Sequence, residues 1–184
     1  MPLTSLDPVT ALVVIDLQRG VVGLPTAHPV QQVVANASAL ADAFRRRKLP
    51  VVLVNVAGRA PGRTAARVTA FPASPEWFEL VPELGRDPDD VLVTKYTWGA
   101  FHGTPLDLQL RRRRVTQLVL CGISTSAGVE TTARAAFEHG YNVTLAVDAM
   151  TDSSADAHRN SIERIFPRIG ETGTTAEVLA RLPP

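Results

Sequence analysis

One cysteine in 184 residues, Cys121, has nothing to pair with, so the fold must hold without an intramolecular disulfide. Aromatic residues are also scarce, at 5%. The four histidines, His28, His102, His139 and His158, have no second His or Cys at a spacing of three or four residues, so no metal cage is read from the sequence. Neither charge sign dominates: 19 basic and 18 acidic side chains give a formal net charge of +1, which creates no broad field for nucleic acid or an anionic membrane. No apolar run approaches the ~20 residues of a membrane span. The first eight residues lack the basic stretch of a secretion signal. The expectation is a soluble, cytoplasmic protein that binds neither nucleic acid nor membrane.

Apolar residues, by contrast, are plentiful at 45%, with 20% charged. A chain of this length buries a core without staples and predicts a single domain over 1–184. Runs rich in β-branched and aliphatic residues predict strands over 11–16, 50–57, 91–95, 116–122 and 141–148. They are continuous rather than alternating, as in strands covered on both faces. Between them, apolar spacings of three and four predict helices over 29–48, 105–114, 125–139, 152–166 and 175–182. Alternating helices and buried strands predict a three-layer, doubly wound α/β fold with a mainly parallel sheet of five or six strands. The stretch 58–90 holds five prolines together with Phe71, Trp77 and Phe78 and no amphipathic period. It reads as a loop-rich crossover that either walls a site or is pinned to the body by its aromatics.

Most common chemistries find no support. The glycines near Gly58 and Gly170 have neither the spacing nor the strand-to-helix context of a phosphate loop, so no nucleotide cofactor is expected. The segment from Gly122 to Gly128 holds Ser124 and Ser126 but misses the serine-hydrolase elbow in both frames. The basic runs 45–48 and 111–114 fall at predicted helix C-termini, where cations offset the helix dipole. Glu130 and Arg134 are spaced as an i,i+4 pair. In doubly wound sheets, ligands bind beyond the carboxyl ends of the strands near the point where strand order reverses. Two ionisable residues end predicted strands, Asp16 and Lys95. They form either an acid and an amine sharing a partly dry cleft or a structural ion pair. Trp98 and Phe101 suggest a planar or apolar substrate, or core packing.

Four segments together resemble the isochorismatase-like hydrolase superfamily. These are Ala-Leu-Val-Val-Ile-Asp16-Leu-Gln18; Val-Thr-Lys95-Tyr-Thr-Trp98-Gly-Ala-Phe101-His-Gly-Thr104; the turn and helix from Leu-Cys121-Gly122 through Ser124-Thr-Ser126-Ala-Gly128-Val-Glu130 to Arg134; and Gly140 to Asp148, with a Gly-Glu-Thr-Gly-Thr-Thr tail. The resemblance covers roughly 10–182 and implies a catalytic Asp16 and Lys95. It also implies a cis bond before Ser124, and an anion site at the amides of Ser124 and Gly128, and assembly into a homo-oligomer. Most members place a nucleophilic cysteine where this chain has Gly128. A glycine forms no covalent intermediate, and Cys121, inside a predicted strand, reads as a buried structural thiol. Isochorismatases also carry glycine there and hydrolyse a vinyl ether without covalent catalysis.

The resemblance therefore implies a cofactor-free hydrolase of a small molecule. Asp16 would be its general acid or base, Lys95 the electrostatic partner, and Gln18 a residue positioning water or substrate. Isochorismate-like vinyl ethers are candidate substrates, although Thr97 and the run from Ser124 to Ser126 differ from the isochorismatase branch. The alternative is a catalytically silent relative that binds a small ligand or acts through assembly.

Overall fold

A computed structural model of the chain describes residues 2–65 and 74–183. Six parallel strands form one sheet in the order β3-β2-β1-β4-β5-β6. They are β1 (Thr10–Ile15), β2 (Val51–Val56), β3 (Val91–Lys95), β4 (Gln117–Ile123), β5 (Asn142–Thr151) and β6 (Glu171–Gly173). Sequence patterning finds the first five. It passes over β6, which at three residues is too short to show a period; its pairing with β5 and the bond from the Leu3 amide to the Thr172 carbonyl hold it in place.

The helices are α1 (Arg19–Val22), α2 (Val30–Arg46), α3 (Leu106–Arg112), α4 (Glu130–Glu138), α5 (Ala155–Asn160) and α6 (Thr175–Arg181). The continuous apolar run of β1 feeds two cores. Leu12 and Val14 pack with Val33, Ala37, Leu40 and Phe44 of α2, whereas Ala11, Val13 and Ile15 pack with Leu106 and Leu110 of α3 and Ala133 of α4. Every residue of β1 is therefore buried, which is why alternation is absent from its sequence. Arg45, from one of the basic runs, donates to the Leu84 carbonyl and pairs with Asp90 at 2.8 Å, so this cation serves the fold.

Two departures from the sequence expectation shape the functional end. The helix read over 125–139 opens as a wide turn, Thr125–Val129, before regular α4 begins. Strand β5 runs to Thr151, beyond the expected end at 148, because its pairing with β4 jumps from Leu120↔Leu145 to Gly122↔Met150. This bulge inserts extra residues and carries the chain to Asp152 at the carboxyl end of the sheet. Within 58–90, Trp77 and Phe78 meet edge to face at 5.3 Å, and a Cβ added at Gly20 would lie 2.2 Å from the Trp77 ring. The indole thus rests on the Gly20 backbone and pins the crossover to the body. Phe71 lies outside the described residues.

Gly122 sets the closeness of β1 and β4 at the switch point. Its φ is +121°, and an added Cβ would fall 2.0 Å from the Ile15 carbonyl oxygen. Gly122→Ala is expected to destabilise the protein by roughly 3–5 kcal/mol, from backbone strain and overlap with backbone atoms that cannot rotate away. Urea unfolding of the two proteins measures it, and a loss under about 1 kcal/mol contradicts the assignment.

Candidate active site

Asp16 follows β1 immediately, with φ at +52°. Lys95 ends β3, which is separated from β1 by β2. The lysine reaches over the end of β2, and its Nζ donates to Asp16 Oδ2 at 2.7 Å and to the Thr97 carbonyl at 3.2 Å. Both residues are buried, Lys95 at 1% and Asp16 at 5% exposure. The two strand-end residues singled out in the sequence therefore do meet.

Two opposing effects act on the Asp16 carboxyl. Burial disfavours its charge and the Lys95 ammonium favours it; burial is the larger, and the pKa rises from 3.8 to about 6. Only one carboxylate oxygen is engaged: Oδ1 of Asp16 is buried without a hydrogen-bond partner among the described residues. A buried oxygen of this kind, on a carboxyl that holds its proton to near-neutral pH, is suited to giving that proton to a bound molecule or taking one from it.

The turn after β4 supplies the opposite wall. The Ile123–Ser124 peptide is cis, and the Ser124 carbonyl accepts from the amides of Ala127 and Val129. A Cβ on Gly128 would lie 3.3 Å from Asp16 Oδ2 and 3.0 Å from Ile15 Cγ2. Position 128 therefore faces the carboxyl directly. The Thr132 hydroxyl donates to the Gly128 carbonyl at 2.6 Å and accepts from the Ala100 amide, tying the turn to the segment after Lys95.

Other sequence candidates lie elsewhere or do other work. Gln18 is fully buried, and its amide is committed to backbone: Nε2 donates to the carbonyls of Val56 and Trp77, and Oε1 accepts from the Val56 amide. With both amide hydrogens used, it braces β2 and the crossover. Phe101 is a core residue, stacked on His139 at 4.9 Å and tilted against Tyr141, beside the start of β5. Trp98 is 66% exposed. Cys121 is completely buried, and its thiol is pushed up to about 12 by burial, with the Asp148 charge adding to it. It is inert in the sense read from the sequence. Glu130 and Arg134 form the expected pair at 2.9 Å.

Sequence reasoning missed Asp152 and His158. Asp152 Oδ2 accepts from both the amide and the hydroxyl of Ser126 at 2.8 Å. The Thr125 hydroxyl and His158 Nδ1 are 2.8 Å apart. The signal for Asp152 was the one that found Asp16, an acid at the carboxyl end of a strand, but the expected strand stopped before reaching it. Among the described residues no group of three or more His, Cys, Asp or Glu side chains is arranged to hold a metal ion. No helix among them is long and apolar enough to cross a membrane.

The sign of the Asp16 shift fixes a pH dependence. The folded carboxyl binds its proton more tightly than the unfolded one, so its contribution to stability is full below the unfolded value near 3.8 and is lost as pH rises through about 6. The expected loss is about 3 kcal/mol between those limits. Lys95→Met, which removes the compensating cation, is expected to enlarge that loss, and the double variant Asp16→Asn/Lys95→Met to abolish it. Denaturant unfolding at pH 4.5 and 7.5 reads all three, and an unchanged slope in the double variant contradicts the assignment.

The whole chain has relatives. An isochorismatase domain model matches residues 10–177. The chain is 45% identical over 180 residues to the isochorismatase family protein YwoC of Bacillus subtilis, covering 94% of each. It is 30% identical over 155 residues to enterobactin synthase component B of Escherichia coli, matching 82% of this chain and 54% of that protein. An isochorismatase family protein from Burkholderia thailandensis superposes with a TM-score of 0.93 at 46% identity, covering 97% of both chains. With the strand order and a match extending over nearly its full length, the chain belongs to the isochorismatase family.

Proposed function

We propose that the protein is a hydrolase acting on a small molecule by non-covalent acid/base chemistry, with Asp16 as the proton donor. The observation that carries this reading is the buried Asp16 carboxyl, held near pKa 6 with Oδ1 unengaged, beside a glycine at position 128. Glycine provides no atom for a covalent intermediate. The bonds broken here are therefore broken by protonation and by water.

Vinyl ethers fit this chemistry. Asp16 Oδ1 gives its proton to the terminal methylene carbon, and the enol-ether double bond becomes an oxocarbenium ion. Water adds to the cationic carbon and returns a proton to the Asp16 carboxylate. The resulting hemiketal then collapses to a ketone and an alcohol. Lys95 keeps the carboxylate in place by charge and hydrogen bond between the two proton transfers. Backbone amides of the turn at Ser124 and Gly128 are placed at the start of a helical segment, where N–H groups bind anionic oxygen. An isochorismate-like substrate is supported by the family and by the glycine.

Isochorismate and simpler enol ethers, assayed by release of the ketone product, test the proposal. Turnover is expected, with kcat/KM falling above pH about 6 as Asp16 ionises, and with a loss of about 10²–10⁴-fold in Asp16→Asn. Turnover that survives in Asp16→Asn contradicts the assigned donor. Calorimetric binding without turnover across enol ethers, esters and amides points instead to a silent, ligand-binding member of the family.

A further inference from the structure

The acid/base reading leaves Asp152 unexplained. It is 3% exposed and sits just past the bulged end of β5. All of its acceptors are in use. Oδ2 takes the Ser126 amide and hydroxyl, Oδ1 takes the Ser154 amide at 3.3 Å and the Ser153 hydroxyl at 3.4 Å, and its backbone carbonyl takes the Ala27 amide at 2.7 Å. A buried carboxylate is costly to keep, and what repays it is this set of donors. Two of them belong to Ser126, inside the turn that places Gly128 against Asp16. A second tie, from Thr125 to His158 of α5, holds the preceding residue of the same turn.

We propose that Asp152 is a positioning residue: through Ser126 it fixes the Thr125–Val129 turn against Asp16, and so keeps water from the carboxyl. The inference rests on the reading of Asp16 as the working acid, but the geometry behind it does not. The position of a Gly128 Cβ, 3.3 Å from Asp16 Oδ2 and 3.0 Å from Ile15 Cγ2, shows that the turn's backbone closes over the carboxyl. Released from Asp152, the turn can draw back, water can enter and the Asp16 proton becomes easier to remove. Charge on Asp152 itself is not needed for this, so a neutral residue that still offers an oxygen to Ser126 should preserve most of the effect.

The test is titration of the Asp16 side-chain carbon by NMR in the full-length protein labelled with ¹³C-aspartate, with Asp16→Asn used to assign the signal. Wild type, Asp152→Asn, Asp152→Ala and Ser126→Ala are compared. Asp152→Ala is expected to lower the Asp16 midpoint by about one pH unit, a tenfold loss of proton affinity, and Asp152→Asn by less than half of that. An unchanged midpoint in Asp152→Ala overturns the proposal. So does an equal shift in the Asn and Ala variants, which assigns the effect to charge. If Asp152→Ala does not fold, Ser126→Ala decides: it removes one of the two bonds, and no shift there is equally fatal. No substrate is required, so failure of enol-ether turnover in the wild type counts against the proposed activity and leaves this readout intact.

Discussion

Burying an ion pair is an expensive way to hold a sheet together, and the Asp16–Lys95 contact has the features of an expensive one. Moving two charges out of water costs several kcal/mol for each ion, and their attraction repays this only when geometry is good and the remaining polar atoms are satisfied. Lys95 has two acceptors, Asp16 Oδ2 and the Thr97 carbonyl. Asp16 falls short of that condition, because Oδ1 has no partner among the described residues. Much of the surrounding structure serves to maintain this imbalance. Gly122 lets β4 approach the backbone of β1, Gln18 locks the residues after β1 to β2, and the apolar stem of Lys95 crosses the end of β2 within the same core as Ile15 and Val54. A pair that served stability alone would be better replaced by apolar side chains of the same volume.

The topology explains why these residues converge. In the order β3-β2-β1-β4-β5-β6, chain connections leave β1 and β4 in opposite directions, the switch point at which ligands bind in such sheets. Asp16 stands there at the end of β1, and the turn at Ser124 to Gly128 follows the end of β4. Lys95 comes from two strands away on one side. On the other, Asp152 arrives from β5, and it does so only because the bulge changes the register between β4 and β5. The site is thus built from four strand ends.

Which parts of this were legible in the sequence follows from the range of the forces involved. The strands of the central sheet are local signals: a buried strand needs apolar side chains on both faces, and β1, β2 and β4 display them over 11–15, 51–54 and 118–121. Asp16 and Lys95 stand out for the same reason, as charges placed at the ends of such runs. The partners of Gln18, Phe101 and Asp152 were beyond reach because they lie far away in the chain. Gln18 bonds to Val56 and Trp77, Phe101 stacks on His139, and Asp152 bonds to Ser126. The bulge in β5 is also invisible to periodicity, since Asp148 lies within the inserted residues and reads as the strand's end. Only pairing with β4 distinguishes the bulge from such an end.

Position 128 joins the sequence reading to the chemistry most directly. Any side chain there begins 3.3 Å from Asp16 Oδ2 and presses on Ile15, so the residue at 128 determines what Asp16 touches. A thiol in that place would be the carboxylate's neighbour, and the Asp16–Lys95 pair would act on the thiol's proton. With glycine, position 128 places no side chain against the carboxyl that holds its proton to about pH 6. Cys121 cannot supply one, because it is sealed in the opposite core with its thiol pushed up to about 12. In the proposed reaction, the absence of one side chain leaves Asp16 to protonate the substrate instead of activating a nucleophile.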